Sequence, residues 1–126
     1  MSELVFVYGT LRRGASNDFR LAGGRHLGRA VVRGRLYGVD WYPGLIVDPG
    51  GGEVVGEVWE VGPESLERLD EFEGIRGRAD DEYRRRMVEV VMTADRSRHM
   101  VWTWEYRGEA RPDRRIRSGD WFRETD

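Results

Sequence analysis

The chain contains no cysteine and no lysine; all 21 of its cationic side chains are arginine. Without cysteine there are no disulfides, no thiolate nucleophile and no cysteine-ligated zinc or iron–sulfur site. Without lysine there is no Schiff-base amine and no tunable ammonium base, because a guanidinium stays charged. Long apolar runs are missing too. None approaches the roughly 20 residues needed to cross a bilayer, and Ser2-Glu3 leads into the short run Leu4–Tyr8 without the features of an export signal. A reducing cytoplasmic location is the expectation. His26 and His99 stand alone, with no neighbours at metal-ligand spacing, so no metal site is expected.

What is present suits one ordinary domain covering residues 1–126. Charged residues make up 35% and hydrophobic residues 39%, with a mean hydropathy of −0.66, as for a core under a heavily charged surface. The net charge of −2 gives no general pull toward nucleic acid or an anionic membrane. The run Arg84-Arg85-Arg86 reads as a solvated face paired with Asp80, Asp81 and Glu82, although it could also bind an anion.

Leu4–Tyr8 is continuously apolar, β-branched and aromatic, as a buried strand should be. Gly9 ends it, and Ser16 is placed to cap a short helix running to about Leu21. From Gly28 to Val39 the residues alternate, with Ala30, Val32, Gly34 and Leu36 on one face, which predicts a half-exposed strand. Leu45–Val47 and Glu53–Val61 are further strands separated by a turn at Pro49–Gly52. Gly62-Pro63 opens the one long helix and Gly74 closes it. Tyr83–Met92 and His99–Tyr106 are two more strands, and Ile116, Trp121 and Phe122 dock the tail. The order predicts an α+β fold, a small curled, mostly antiparallel sheet or barrel with one main and one short helix.

Two places could carry chemistry. Tyr8-Gly9-Thr10-Leu11-Arg12-Arg13-Gly14 follows the buried strand, and its successive N–H groups could form an anion-binding nest, or simply a glycine turn. Its spacing is neither a Walker A loop nor a dinucleotide fingerprint. The second place is Glu73. On a helical wheel with Leu66 at zero, Leu69 lies at about −60° and Glu73 at about −20°, so the carboxylate falls within the apolar stripe. Asp70 borders the stripe, and Phe72 lies well off it. Desolvation and the negative end of the helix dipole both favour protonated Glu73, which suits a general acid/base; the other reading is that the helix frays before Glu73 or that Glu73 pairs with an arginine. The serines lack a Gly-x-Ser-x-Gly setting. Trp102, Trp104 and Tyr106 alternate on one strand face, as core aromatics or as a stacking platform.

Read together, these segments resemble the γ-glutamylcyclotransferase-like family, particularly its γ-glutamylamine cyclotransferases and their bacterial relatives. Val5–Gly14 (VFVYGTLRRG) is similar to the family's signature loop, and Leu69–Gly74 to its Leu-Asp-x-x-Glu-Gly segment. Tyr83, Arg85, Val88 and Val90 fit the strand that follows, and Ile116–Trp121 a common bacterial ending. The resemblance implies cyclisation of a γ-glutamyl amine or γ-glutamyl amino acid to 5-oxoproline. It implies Glu73 as the catalytic acid/base and substrate binding by Tyr8, Gly9, Thr10, Leu11 and Tyr83. No metal or organic cofactor is implied, and the partner is a small γ-glutamyl molecule met by a monomer or homodimer. The charged segment Ile75–Glu82 departs from the pattern and could reshape the pocket mouth. A non-catalytic module binding a glutamate-like molecule would use the same fold, as would an amidase or acyltransferase. The question for the structure is whether Glu73 and the Gly9–Leu11 amides face one cavity.

Overall fold

A computed structural model of the chain describes residues 2–123. Six strands are present among the described residues: β1 (Glu3–Val7), β2 (Arg25–Gly38), β3 (Pro43–Val47), β4 (Gly52–Val61), β5 (Tyr83–Met92) and β6 (Arg98–Tyr106). The main helix α1 spans Pro63–Phe72, and short 3-10 turns cover Asp18–Leu21, Pro112–Arg114 and Trp121–Arg123. The strands run in the order β3-β2-β4-β1-β6-β5, and a β2–β5 pairing closes five of them into a barrel. All pairings are antiparallel except β1–β6. The element order predicts a curled sheet or a barrel on an α+β plan, and the barrel is what forms.

Two cores follow from strand alternation. Phe6, Ala30, Val32, Leu36, Val54, Val58, Val90 and Val101 fill the barrel interior. Val5 and Val7, the odd residues of β1, face outward instead, and with Val61 and Trp104 they receive Leu66 and Leu69 of α1. Each fully buried Leu or Val contributes about 1.5–3 kcal/mol by leaving water. Trp102 and Tyr106 pack against this second core, so the alternating aromatics of β6 are core residues.

The helix stops where the sequence indicates. Gly74 takes φ +75°, Gly74 N–H donates to Glu71 O at 3.0 Å and Ile75 N–H donates to Asp70 O at 2.9 Å, the paired bonds of a Schellman ending. Glu73 is thereby held as the residue joining helix to turn, with φ −78° and ψ −2°.

Three local expectations need correction. The short helix is a 3-10 turn beginning at Asp18, preceded by Asn17, with no side-chain cap from Ser16. Asp18 instead accepts from the Gly14 N–H at 2.9 Å, which ties the turn back to the loop. The arginine run pairs across the sheet and with the helix, not with its sequence neighbours. Arg84 and Arg86 reach Glu105, and Arg85 reaches Asp70 at 3.0 Å. Strand pairing sets these partners, since Arg84 lies opposite Glu105 in the β5–β6 register. Phe72 is half-buried against the second core despite its wheel position, because Arg20 stacks 4.0 Å over its ring.

Candidate active site

A cavity of about 210 Å³ opens beside the C-terminal end of α1, at the junction of β1, β3, β5 and β6. Tyr8, Gly9, Thr10 and Leu11 form one wall, Phe72 and Glu73 a second, and Tyr42, Pro43 and Tyr83 a third. Tyr8, Gly9, Thr10, Leu11, Glu73 and Tyr83, the residues the family resemblance points to, all line this one cavity.

Tyr8 opens the first wall. Its ring is buried, and its hydroxyl donates to Trp104 O at 2.7 Å while accepting from Leu45 N–H at 3.2 Å. Burial pushes the phenol pKa well up, and the nearby Glu73 carboxylate adds to the rise. Tyr8 is thus a neutral, doubly anchored wall, not a proton donor at neutral pH.

Gly9 is glycine for a steric reason: a β-carbon there would lie 2.6 Å from Pro43 Cγ. The loop then turns, with Arg12 N–H donating to Gly9 O at 3.1 Å and Asn17 N–H to Thr10 O at 2.8 Å. Among the described residues, the N–H groups of Gly9, Thr10 and Leu11 donate to no protein acceptor. Free main-chain donors beside a cavity can receive a carboxylate or an oxyanion.

Arg12 holds the loop from below. It is 1% exposed, donates to Asp120 Oδ1 at 2.7 Å, and lies 3.5 Å from Glu57 Oε2 and 4.0 Å over the Phe122 ring. Glu57 also accepts from Arg13 N–H at 2.9 Å and from Trp59 Nε1–H at 3.1 Å. These contacts join the loop to β4 and to the tail.

Glu73 is half-buried and faces the cavity. Among the described residues, its carboxyl makes no hydrogen bond and no ion pair. The neighbouring acid Asp70 is occupied differently, accepting from Trp104 Nε1–H at 2.8 Å and pairing with Arg85. Desolvation, followed by the charges of Glu82 and Asp70, pushes the Glu73 pKa up to about 7. Both protonation states are then accessible near neutrality, as a group that takes up and returns a proton requires.

Tyr83 is buried, and its hydroxyl donates to Pro43 O at 2.6 Å, so it braces the start of β3. It makes no bond to Glu73. Burial raises its pKa, with Tyr8 and Glu73 contributing. The sequence reading missed three residues at the cavity rim, Trp41, Tyr42 and Glu82. Tyr42 O–H donates to Glu82 Oε1 at 2.6 Å across 40 positions of chain, a pairing that no local pattern announces. The one available signal was the aromatic pair just before Pro43-Gly44.

The remaining candidates lie elsewhere. His26 sits beside Trp59, 3.6 Å from Glu57. Ser97, Asp95 and His99 meet at the β5–β6 turn, but Ser97 Oγ donates to Asp95 at 2.6 Å, which leaves it unactivated toward His99. Among the described residues, no group of three His, Asp or Glu side chains could hold a metal. No helix among them is long and apolar enough to cross a membrane.

The chain is similar to known proteins along nearly its whole length. Residues 5–123 match the profile of the family described as gamma-glutamyl cyclotransferase, AIG2-like. A Vibrio cholerae protein provisionally named gamma-glutamylcyclotransferase is 37% identical over 123 residues, spanning 96% of each chain. The bovine gamma-glutamylaminecyclotransferase is 40% identical over 99 residues, 70% of this chain and 56% of that one. The crystal structure of a mouse AIG2-like protein superposes with a TM-score of 0.74 at 27% identity, covering 89% of this chain and 81% of that one.

Proposed function

The chain belongs to the gamma-glutamyl cyclotransferase, AIG2-like family, and from that premise we propose that it cyclises a γ-glutamyl amine or γ-glutamyl amino acid to 5-oxoproline, with Glu73 as the single acid/base. The observation carrying this reading is that the Glu73 carboxylate and the N–H groups of Gly9–Leu11, unpaired among the described residues, line one small cavity. The nucleophile is already tethered to its target, since the substrate's α-amine attacks its own γ-carbonyl. The protein therefore has mainly to fold the glutamyl chain into an attack geometry, and a cavity of this size would enforce that.

The proton path needs one residue. Glu73 as carboxylate takes a proton from the α-ammonium, and the freed amine attacks the γ-carbon to form the new C–N bond. The tetrahedral oxyanion, or the substrate's α-carboxylate, takes the Gly9–Leu11 N–H groups. Glu73, now a carboxylic acid, gives its proton to the leaving nitrogen as the old C–N bond breaks. The ring nitrogen then loses a second proton to the regenerated Glu73 carboxylate, which passes it to the released amine, so that one of the three ammonium protons stays on the lactam nitrogen and two end on the departing ammonium. Tyr8 and Tyr83 shape the cavity and do not relay protons.

Incubation with γ-glutamyl dipeptides and γ-glutamyl alkylamines, followed by mass spectrometry, tests the reaction. The reading expects 5-oxoproline and free amine in equal amounts. Free glutamate would instead mark an amidase. A ligand that stabilises the protein without being consumed would mark a binding module.

A further inference from the structure

The outer half of the cavity differs in chemistry from the inner half. Trp41, Tyr42 and Glu82 stand at its rim, with Trp41 62% exposed and set edge-on to Tyr42 at 5.0 Å between ring centroids. Glu82 is held toward Tyr42 by the 2.6 Å hydrogen bond from its hydroxyl. Although the chain has 21 arginines, none lines this cavity among the described residues. Four arginines near Glu82 have partners elsewhere. Arg84 and Arg86 pair with Glu105, Arg85 with Asp70, and Arg107 donates to the carbonyls of Arg78 and Ala79. Arg20 stacks over the Phe72 ring without lining the cavity.

The field at the rim is consistently negative. Glu82 raises the Glu73 pKa, Asp40 and Glu82 help raise that of Tyr42 after burial, and Glu82 and Glu109 do the same for Tyr106. A carboxylate beside one exposed and one half-buried aromatic ring, with no cation in the cavity lining among the described residues, is the environment an organic ammonium seeks. It repels a carboxylate by the same field.

We propose that the cavity rim is a subsite for a positively charged leaving group, with Glu82 as its counter-ion and Trp41 and Tyr42 as its aromatic walls. The inference rests on the cyclotransferase reading and names its substrate class: γ-glutamyl derivatives of diamines, whose free ammonium reaches the rim once the glutamyl half occupies the inner cavity. A γ-glutamyl amino acid carries its carboxylate beside the scissile nitrogen, where this rim offers no cation.

The test compares three substrates through their common product, 5-oxoproline. These are γ-glutamyl-1,4-diaminobutane, its uncharged analogue γ-glutamyl-pentylamine, and γ-glutamyl-alanine. The proposal expects kcat/KM for the diamine derivative to exceed that for the pentylamine derivative by about tenfold, with the alanine compound slowest. Glu82→Gln should bring the diamine-to-pentylamine ratio close to one, and Trp41→Leu should move it in the same direction. Using a ratio cancels any change in Glu73 basicity, which acts on all three alike. Equal wild-type turnover of the diamine and pentylamine compounds, or preference for the alanine compound, would overturn the subsite and leave the cyclotransferase reading standing. No 5-oxoproline from any of the three would overturn both.

Discussion

The guanidinium of Arg12 and the carboxylate of Asp120, 108 residues apart in sequence, meet at 2.7 Å beneath the site loop. This contact makes the C-terminal tail part of the scaffold that positions Gly9–Leu11. Burial alone raises the Asp120 pKa, but the hydrogen bonds from Arg12 and from Phe122 N–H outweigh it and hold the carboxyl below its usual range.

Arg12→Met is therefore expected to destabilise the fold by about 3 kcal/mol, because it strands two partly or fully buried carboxylates, Asp120 and Glu57. Urea unfolding at pH 7 measures this. The sign of the pH effect follows from the lowered Asp120 pKa. Its contribution is present above the unfolded aspartate value of about 3.9 and is lost as pH falls through the lower folded value. The variant should accordingly lose less stability on acidification than the wild type does. Equal stability of the two at pH 7 would show that the pair is not an anchor.

Gly9→Ala puts a methyl group 2.6 Å from a proline ring that is itself packed in the cavity wall. Neither partner can move freely, so the loop or the start of β3 must shift. A loss of about 1–3 kcal/mol in urea unfolding is expected from the overpacking, together with a fall in kcat/KM beyond what the lost folded fraction accounts for. Gly14→Ala is a useful contrast, since nothing lies within 4 Å of its β-position and only its φ of +89° resists substitution.

Much of this site was legible because its signals are local. The run Leu4–Tyr8, the proline start and glycine stop of α1, and the angle of Glu73 relative to Leu66 and Leu69 all depend on neighbours a few residues away. Barrel closure was not legible, because the β2–β5 pairing rests on only two residue pairs at Ala30 and Val31. Nor were the partners of Arg84 and Arg86, which register across β6 determines. Glu82 looked like one more charge in a charged loop. The segment Ile75–Glu82 was expected near the pocket mouth, but nothing local singled out Glu82 within it; the cavity lining and the hydrogen bond from Tyr42 do.

Glu73 should carry a stability cost along with its chemistry. Its folded pKa of about 7 lies above the unfolded glutamate value, so the folded state holds the proton more tightly. Stability is then fully present below the unfolded pKa and declines as pH rises from about 4.3 toward 7. Glu73→Gln removes the charge, so at pH 8 the variant should be more stable than the wild type by roughly 1–2 kcal/mol, allowing for screening by cavity water. Thermal or urea unfolding at pH 5 and pH 8 would reveal the crossover, and a variant less stable than the wild type at pH 8 would show that the carboxylate is satisfied after all.

The central claim is that one carboxylate moves the proton out and back. The most direct measurement is the rate of 5-oxoproline release by wild type and by Glu73→Gln across pH 5 to 9, each shown to be folded. We expect the wild-type kcat/KM to rise through an apparent pKa of about 7, and the variant to fall by about a thousandfold and lose that limb. A Glu73→Gln enzyme that turns over at the wild-type rate, with the same pH profile, would contradict the account.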